Sequence, residues 1–191
     1  MTTPTTAAST PVAATPAATT PAAATPAPPP PSAPAPRPPA SVRVSWAGER
    51  RFDAGRPDAP TARFDGAGKT GPTPVEALVG ALAACSMVDV VEILAKRRTP
   101  VDQLTVDALA DRASATPARV TRVALVFTLD GSTVDRAQAE RAIDLALTKY
   151  CSVRDSLNPA IVIVPSLTLN GEPGQRIELG GAAGAARPGA V

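Results

Sequence analysis

Hydrophobic and polar residues alternate one by one from 42 to 46, where Val42, Val44 and Trp46 flank Arg43 and Ser45. That period of two predicts a half-buried β-strand. Ala47-Gly48 marks a turn, and Arg50-Arg51-Phe52-Asp53 reads as the returning strand of a hairpin. Residues 61–65 read as a third strand, ended by Asp65-Gly66 and Gly68. The pattern then changes. From Ala77 to Val88 no residue carries a charge, and the stretch sits inside a well-delimited helix. Thr73 suits the N-cap, Pro74 suits the first helical position, and Glu76 completes a capping box. Lys96, Arg97 and Arg98 suit the negative end of the helix dipole, and Thr99-Pro100 stops the helix. A helix that is apolar on every side is expected to be buried on every side, which makes this one the core. Its uncharged run is shorter than the ~20 residues that span a membrane.

After Pro100 the period returns to two. Leu104, Val106, Ala108 and Ala110 share one face of a strand, and Thr105, Asp107 and Asp111 share the other. Val123, Leu125, Phe127 and Leu129 form the apolar face of the next strand, which Asp130-Gly131 ends. A second helix over residues 133–149 carries the stripe Ala139, Ala142, Ile143, Ala146, Leu147 and Tyr150. Cys151 comes directly after it, and residues 153–157 suit a short helical piece that Asn158-Pro159 breaks. Residues 161–169 read as a last strand, with a turn at Asn170-Gly171. The order βββ-α-ββ-α-β keeps strands and helices in separate runs, which predicts an α+β fold with antiparallel sheet.

Composition trims the domain. Residues 1–40 hold 13 of the 23 prolines and a single charge, Arg37. A segment with so little apolar bulk cannot offset its ordering entropy, so a disordered extension is expected there. It has neither the basic start nor the apolar run of a signal peptide. The Gly/Ala-rich stretch 180–191 is an expected flexible tail, which leaves one domain over residues 41–179. A net charge of +2 and five aromatic residues (three Phe, one Tyr and one Trp) give no nucleic-acid footprint. No stretch is expected to cross a membrane, and two cysteines point to no disulfide scaffold, so the expected location is cytoplasmic. The chain has no histidine. Ser-His-Asp and Cys-His catalysis and imidazole-based zinc sites are thereby excluded, and two cysteines alone make a poor metal cage.

Thiols, carboxylates and arginines remain for chemistry. Cys85 in an apolar helix is most simply inert packing, and Cys151 at the end of an amphipathic one equally so. As the only two cysteines they also form the one possible redox pair. Glu76 is fully explained by the capping box. Asp89, one turn after Cys85, would raise a neighbouring thiol's pKa. Arg43, Arg50 and Arg51 read as solvated strand residues, yet an activated Cys85 in mid-helix needs a cation from outside its own helix.

Gly71-Pro72-Thr73-Pro74-Val75-Glu76-Ala77-Leu78 leads to Ala83-Ala84-Cys85-Ser86, and Tyr150-Cys151-Ser152-Val153 places the second cysteine 66 residues after the first. Together these resemble the OsmC/Ohr family of organic hydroperoxide reductases over residues 42–170. Residues 85–94 with Lys149-Tyr150-Cys151-Ser152-Val153 are most similar to its YhfA-like branch. The resemblance implies an intertwined α+β homodimer with its site at the subunit interface. It implies a thiol peroxidase without metal or cofactor, in which Cys85 attacks an organic or lipid hydroperoxide and Cys151 resolves the sulfenic acid as a disulfide. A dithiol reductant, lipoyl-type in the family, would reset the pair. Arg51 or Arg50 would match the family's catalytic arginine, held by an acidic residue. That acidic position holds Val75 here, with Glu76 one residue on, and Ser152 stands where the second cysteine is usually followed by proline. A non-catalytic member that binds a small apolar ligand at the interface is the alternative.

Overall fold

A computed structural model describes residues 1–2 and 38–179. The expected disordered extension and flexible tail therefore lie outside the described residues, apart from 1–2 and 38–40. All the described secondary structure belongs to the unit Ala40–Val191.

Strands β1 (Arg43–Trp46), β2 (Arg51–Gly55) and β3 (Ala62–Asp65) form an antiparallel sheet in chain order. β1 contradicts the expected half-burial: Val44 is 60% exposed and Trp46 71%. Its alternation has nothing to bury against within one chain, since β1 joins the sheet through β2 alone and contributes no residue to the main core. Helix α1 (Pro74–Lys96) then runs for 23 residues. The expected capping box is present: Thr73 Oγ1 accepts from the Glu76 N–H at 3.3 Å, and Glu76 Oε2 accepts from the Thr73 N–H at 2.7 Å.

α1 also departs from expectation, because only one side of it is covered. Val79, Leu82, Ala83, Ser86, Val90 and Leu94 are buried, whereas Val88 on the opposite side and Leu78 and Val91 on the flanks are exposed. The sheet and helices that pack on α1 within one chain cover only half of its cylinder. By length and composition α1 is long and apolar enough to cross a membrane, which the charge-free run alone did not suggest. Its buried side belongs to the protein core.

The second sheet is built from β4 (Gln103–Arg112), β5 (Val120–Asp130), β6 (Val162–Leu169) and β7 (Glu172–Arg176), in that order. Val123, Leu125, Phe127 and Leu129 of β5 are buried, as the period of two predicts. β5 and β6 run parallel, so the sheet is mixed where only antiparallel pairing was expected. The crossover made by helix α2 (Arg136–Leu145) carries the chain back to the end of the sheet where β5 began, so β6 repeats the direction of β5. β7 had no sequence signal, since Pro173 and Gly174 are poor strand formers. It exists because Asn170 and Gly171, both at positive φ (50° and 81°), turn the chain back onto β6.

Candidate functional site

The end of α2 determines where the second cysteine points. Its α-helix gives way to a π-turn, Ala146–Tyr150, closed by the Cys151 N–H donating to the Ala146 carbonyl at 2.8 Å. A π-turn takes up one more residue than an α-turn and so shifts the phase of the residues after it. Tyr150, expected in the apolar stripe, is 49% exposed as a result, and Cys151 is buried at 4%. Cys151 is also the N-cap of helix α3 (Ser152–Ser156), where its sulfur accepts from the Arg154 N–H at 3.3 Å.

α3 and the π-turn pack on α1, opposite the segment that carries Cys85 and Ser86. Ser86 is fully buried, and its Oγ lies 2.8 Å from the Leu82 carbonyl and 3.7 Å from Cys151 Sγ. Cys85, half-buried, presents its thiol to Cys151, and both are free thiols. The two cysteines, 66 residues apart in sequence, are thus brought together by the fold. Burial pushes the Cys151 thiol up from its ordinary range. The Arg154 N–H opposes that rise, the Cys85 thiol adds to it, and the Ser86 hydroxyl opposes it.

The other expected site residues are placed elsewhere. Arg51 pairs with Glu49 at 3.5 Å within its own hairpin, and its buried Nε has no partner among the described residues. Arg50 lies against Gly66, whose N–H donates to the Arg50 carbonyl. Among the described residues neither arginine has a hydrogen bond or ion pair with a cysteine. Glu76 is held by its cap, and the Thr73 N–H keeps its carboxyl below the usual carboxylate range. Asp89 sits one turn past Cys85 with a buried, unpartnered Oδ2; burial raises its pKa, and Glu92 adds to the effect.

Sequence reasoning gave no role to Ser86 or to the Arg154 amide. Ser86 left a signal, being the one hydroxyl in the uncharged stretch of α1. The Arg154 amide left none, because a capping N–H is visible only once the helix is placed. No group of His, Cys, Asp and Glu among the described residues is suited to hold a metal ion.

A groove of about 580 Å³ runs between α1 and β4. Val79, Ala83, Met87, Val106 and Ala108 line its apolar part, and Glu76 is among its polar residues. Ala84 reaches it but Cys85 does not, so groove and thiol pair are neighbours on α1 rather than one cavity.

Known proteins share this fold. A family model described as "OsmC-like protein" matches residues 66–166. The protein YhfA of Escherichia coli (strain K12) is 34% identical over 126 residues, covering 65% of this chain and 94% of YhfA. A solved OsmC-like protein from Mycoplasma pneumoniae superimposes with a TM-score of 0.59 at 16% identity, covering 68% of this chain and 95% of that one. An organic hydroperoxide resistance protein from Elizabethkingia anophelis superimposes with a TM-score of 0.50 at 12% identity, covering 68% and 96%. At those identities the two structures speak to the fold alone, while the family model and YhfA speak to descent: the chain belongs to the OsmC family, on its YhfA-like side.

Proposed function

We propose that the protein is a cofactor-free thiol peroxidase that reduces organic or lipid hydroperoxides, acting in the cytoplasm as a homodimer. One observation carries the reading: an accessible thiol, Cys85, lies against a buried one, Cys151. Membership of a family with a relative named for organic hydroperoxide resistance adds support. The exposure of the two thiols supports a division of roles between them. Cys85 attacks the outer oxygen of ROOH; its S–O bond forms as the O–O bond breaks, and ROH leaves with a proton. Cys151 then attacks the Cys85 sulfur. The S–S bond forms, and the sulfenic oxygen departs as water with the Cys151 proton. An external dithiol, by resemblance to the family a lipoylated protein, returns both thiols and becomes a disulfide itself.

The test is direct. Cumene hydroperoxide added to the reduced chain is expected to give an intrachain Cys85–Cys151 disulfide, seen by mass spectrometry. Cys151→Ser is expected to trap sulfenic acid at Cys85 and then sulfinic acid. Two free thiols surviving excess peroxide in the wild-type chain would remove the catalytic reading.

A second reading is favoured by the apolar groove and by the absence, among the described residues, of an arginine side chain hydrogen-bonded to either cysteine. In it the protein binds a small apolar ligand and leaves the thiols unused. Saturable binding of a non-peroxide fatty acid, combined with peroxide-inert thiols, is its expected signature.

A further inference from the structure

Ser86 Oγ stands between two neighbours, bonded firmly to the Leu82 carbonyl at 2.8 Å and loosely to Cys151 Sγ at 3.7 Å. A hydroxyl has one hydrogen and two lone pairs, so it cannot donate to both neighbours at once. While Cys151 carries its proton, the short contact to the Leu82 carbonyl holds the Ser86 hydrogen, and the long contact to the Cys151 sulfur is the weaker of the two. Once Cys151 becomes an anion, its sulfur is the stronger acceptor, because hydrogen bonds to ionised groups are shorter and stronger than neutral ones. The hydrogen then turns from Leu82 to the sulfur. Leu82 gives up little, since its carbonyl lies inside α1 and keeps the helix's own bonding. Ser86 is fully buried, so no water competes for this role.

We infer that Ser86 is a positioning residue of the thiol pair, whose buried hydroxyl switches from the Leu82 carbonyl to the Cys151 sulfur when that sulfur gives up its proton. With the Arg154 N–H at 3.3 Å it forms a two-donor cradle for the Cys151 thiolate. The inference rests on the peroxidase reading only for its consequence, which is that the cradle makes Cys151 a usable attacking thiol and later a usable leaving group. In the attack, Cys85–S–OH and Cys151–SH become the disulfide and water. Ser86 neither gains nor loses a proton in the balance.

The donors bonded to this sulfur are both neutral, while the Arg154 side chain keeps a buried Nε without a hydrogen-bond partner among the described residues. Cys85 faces the sulfur from α1, with Asp89 one turn further along. From α3, Arg154 offers its backbone N–H. From the π-turn, Lys149 is engaged over the Tyr150 ring, with 5.2 Å between its Nζ and the ring centroid.

The experiment needs no peroxide. In the full chain carrying Cys85→Ala, Cys151 is the one thiol, and its alkylation rate against pH reports its ionisation. Ser86→Ala is expected to raise the midpoint by about one pH unit, a tenfold loss of thiolate at a fixed pH below the midpoint. Ser86→Thr keeps a hydroxyl that can bond the same two partners, and is expected to leave the midpoint in place. An unchanged midpoint in Ser86→Ala, or an equal shift in Ser86→Thr, overturns the inference. If Ser86→Ala fails to fold, Ser86→Val in the same background, which has the shape of the threonine variant without its hydroxyl, takes its place with the same expected shift. With Cys85 restored, Ser86→Ala is expected to slow disulfide closure about tenfold and to let Cys85 drift to sulfinic acid. If Cys85 never forms sulfenic acid, the peroxidase reading fails while the titration still decides the role of Ser86.

Discussion

Two carboxylates illustrate how a residue's job is set by its immediate partners. Asp65 is buried at the end of β3, and its oxygens accept from the N–H groups of Ala67, Lys69 and Thr70 and from the Thr70 hydroxyl. It ties the loop into α1 from within. The Ala67 N–H is the largest influence holding its pKa at about 2, below the ordinary 3.8. A depressed folded-state pKa contributes stability that is present above the unfolded value and is lost as pH falls through the folded one. The Asp65 contribution is therefore expected to be complete above pH 4 and to vanish between about 4 and 2. Asp65→Asn is expected to destabilise the protein at pH 7, with the difference from wild type shrinking toward pH 2; urea unfolding across that range checks it. Glu76 separates capping from catalysis. Gln also serves at that place in a capping box, so Glu76→Gln is expected to leave both Tm and peroxide turnover nearly unchanged, while Glu76→Ala lowers Tm. A large loss of turnover in Glu76→Gln, with Tm preserved, would instead give Glu76 a role at the thiols.

At the scale of the element, α1 does two things on two sides. Leu82 and Leu94 are fully buried between the second sheet and α2. Leu94→Ala is expected to cost about 2–5 kcal/mol in unfolding free energy, the range for emptying a core leucine site. The same side carries Ser86, and its flank carries Cys85, so the helix that makes the core also aims the site. The π-turn before Cys151 is the matching device on the facing element: without its extra residue the α2 phase would bury Tyr150 and turn the thiol outward. Each cysteine is thus oriented by the end or flank of an element rather than by a flexible loop.

At the scale of the whole molecule, the uncovered side of α1 and the β1 strand leave Leu78, Val88, Val91, Val44 and Trp46 exposed in a single chain. Apolar area of this kind marks an interaction surface, and the proposed homodimer would cover it. Light scattering is expected to find a dimer at micromolar concentration, with Tm rising with concentration. Val88→Asp places a charge on that side, where Val88 is 59% exposed in one chain. It is expected to yield monomer, and a Val88→Asp chain that stays dimeric would move the interface elsewhere.

What the sequence determined by itself is what local rules encode. The capping box around Thr73 and Glu76, the period of two in β4 and β5, the Asn170-Gly171 turn and the limits of α1 all come from residue type and spacing. The pairing of Cys85 with Cys151 came only from a resemblance at that level, because no periodicity relates positions 66 apart. Other features belonged to the tertiary structure alone. The direction of β6 depends on where the α2 crossover lands, and β7 depends on a neighbouring edge rather than on its own Pro173 and Gly174. The one-sided burial of α1 depends on how many layers a single chain can supply. The donors around Cys151, one from α1 and one from α3, depend on two helices meeting. Local pattern reports which face of an element is apolar; only the assembled fold determines what that face meets.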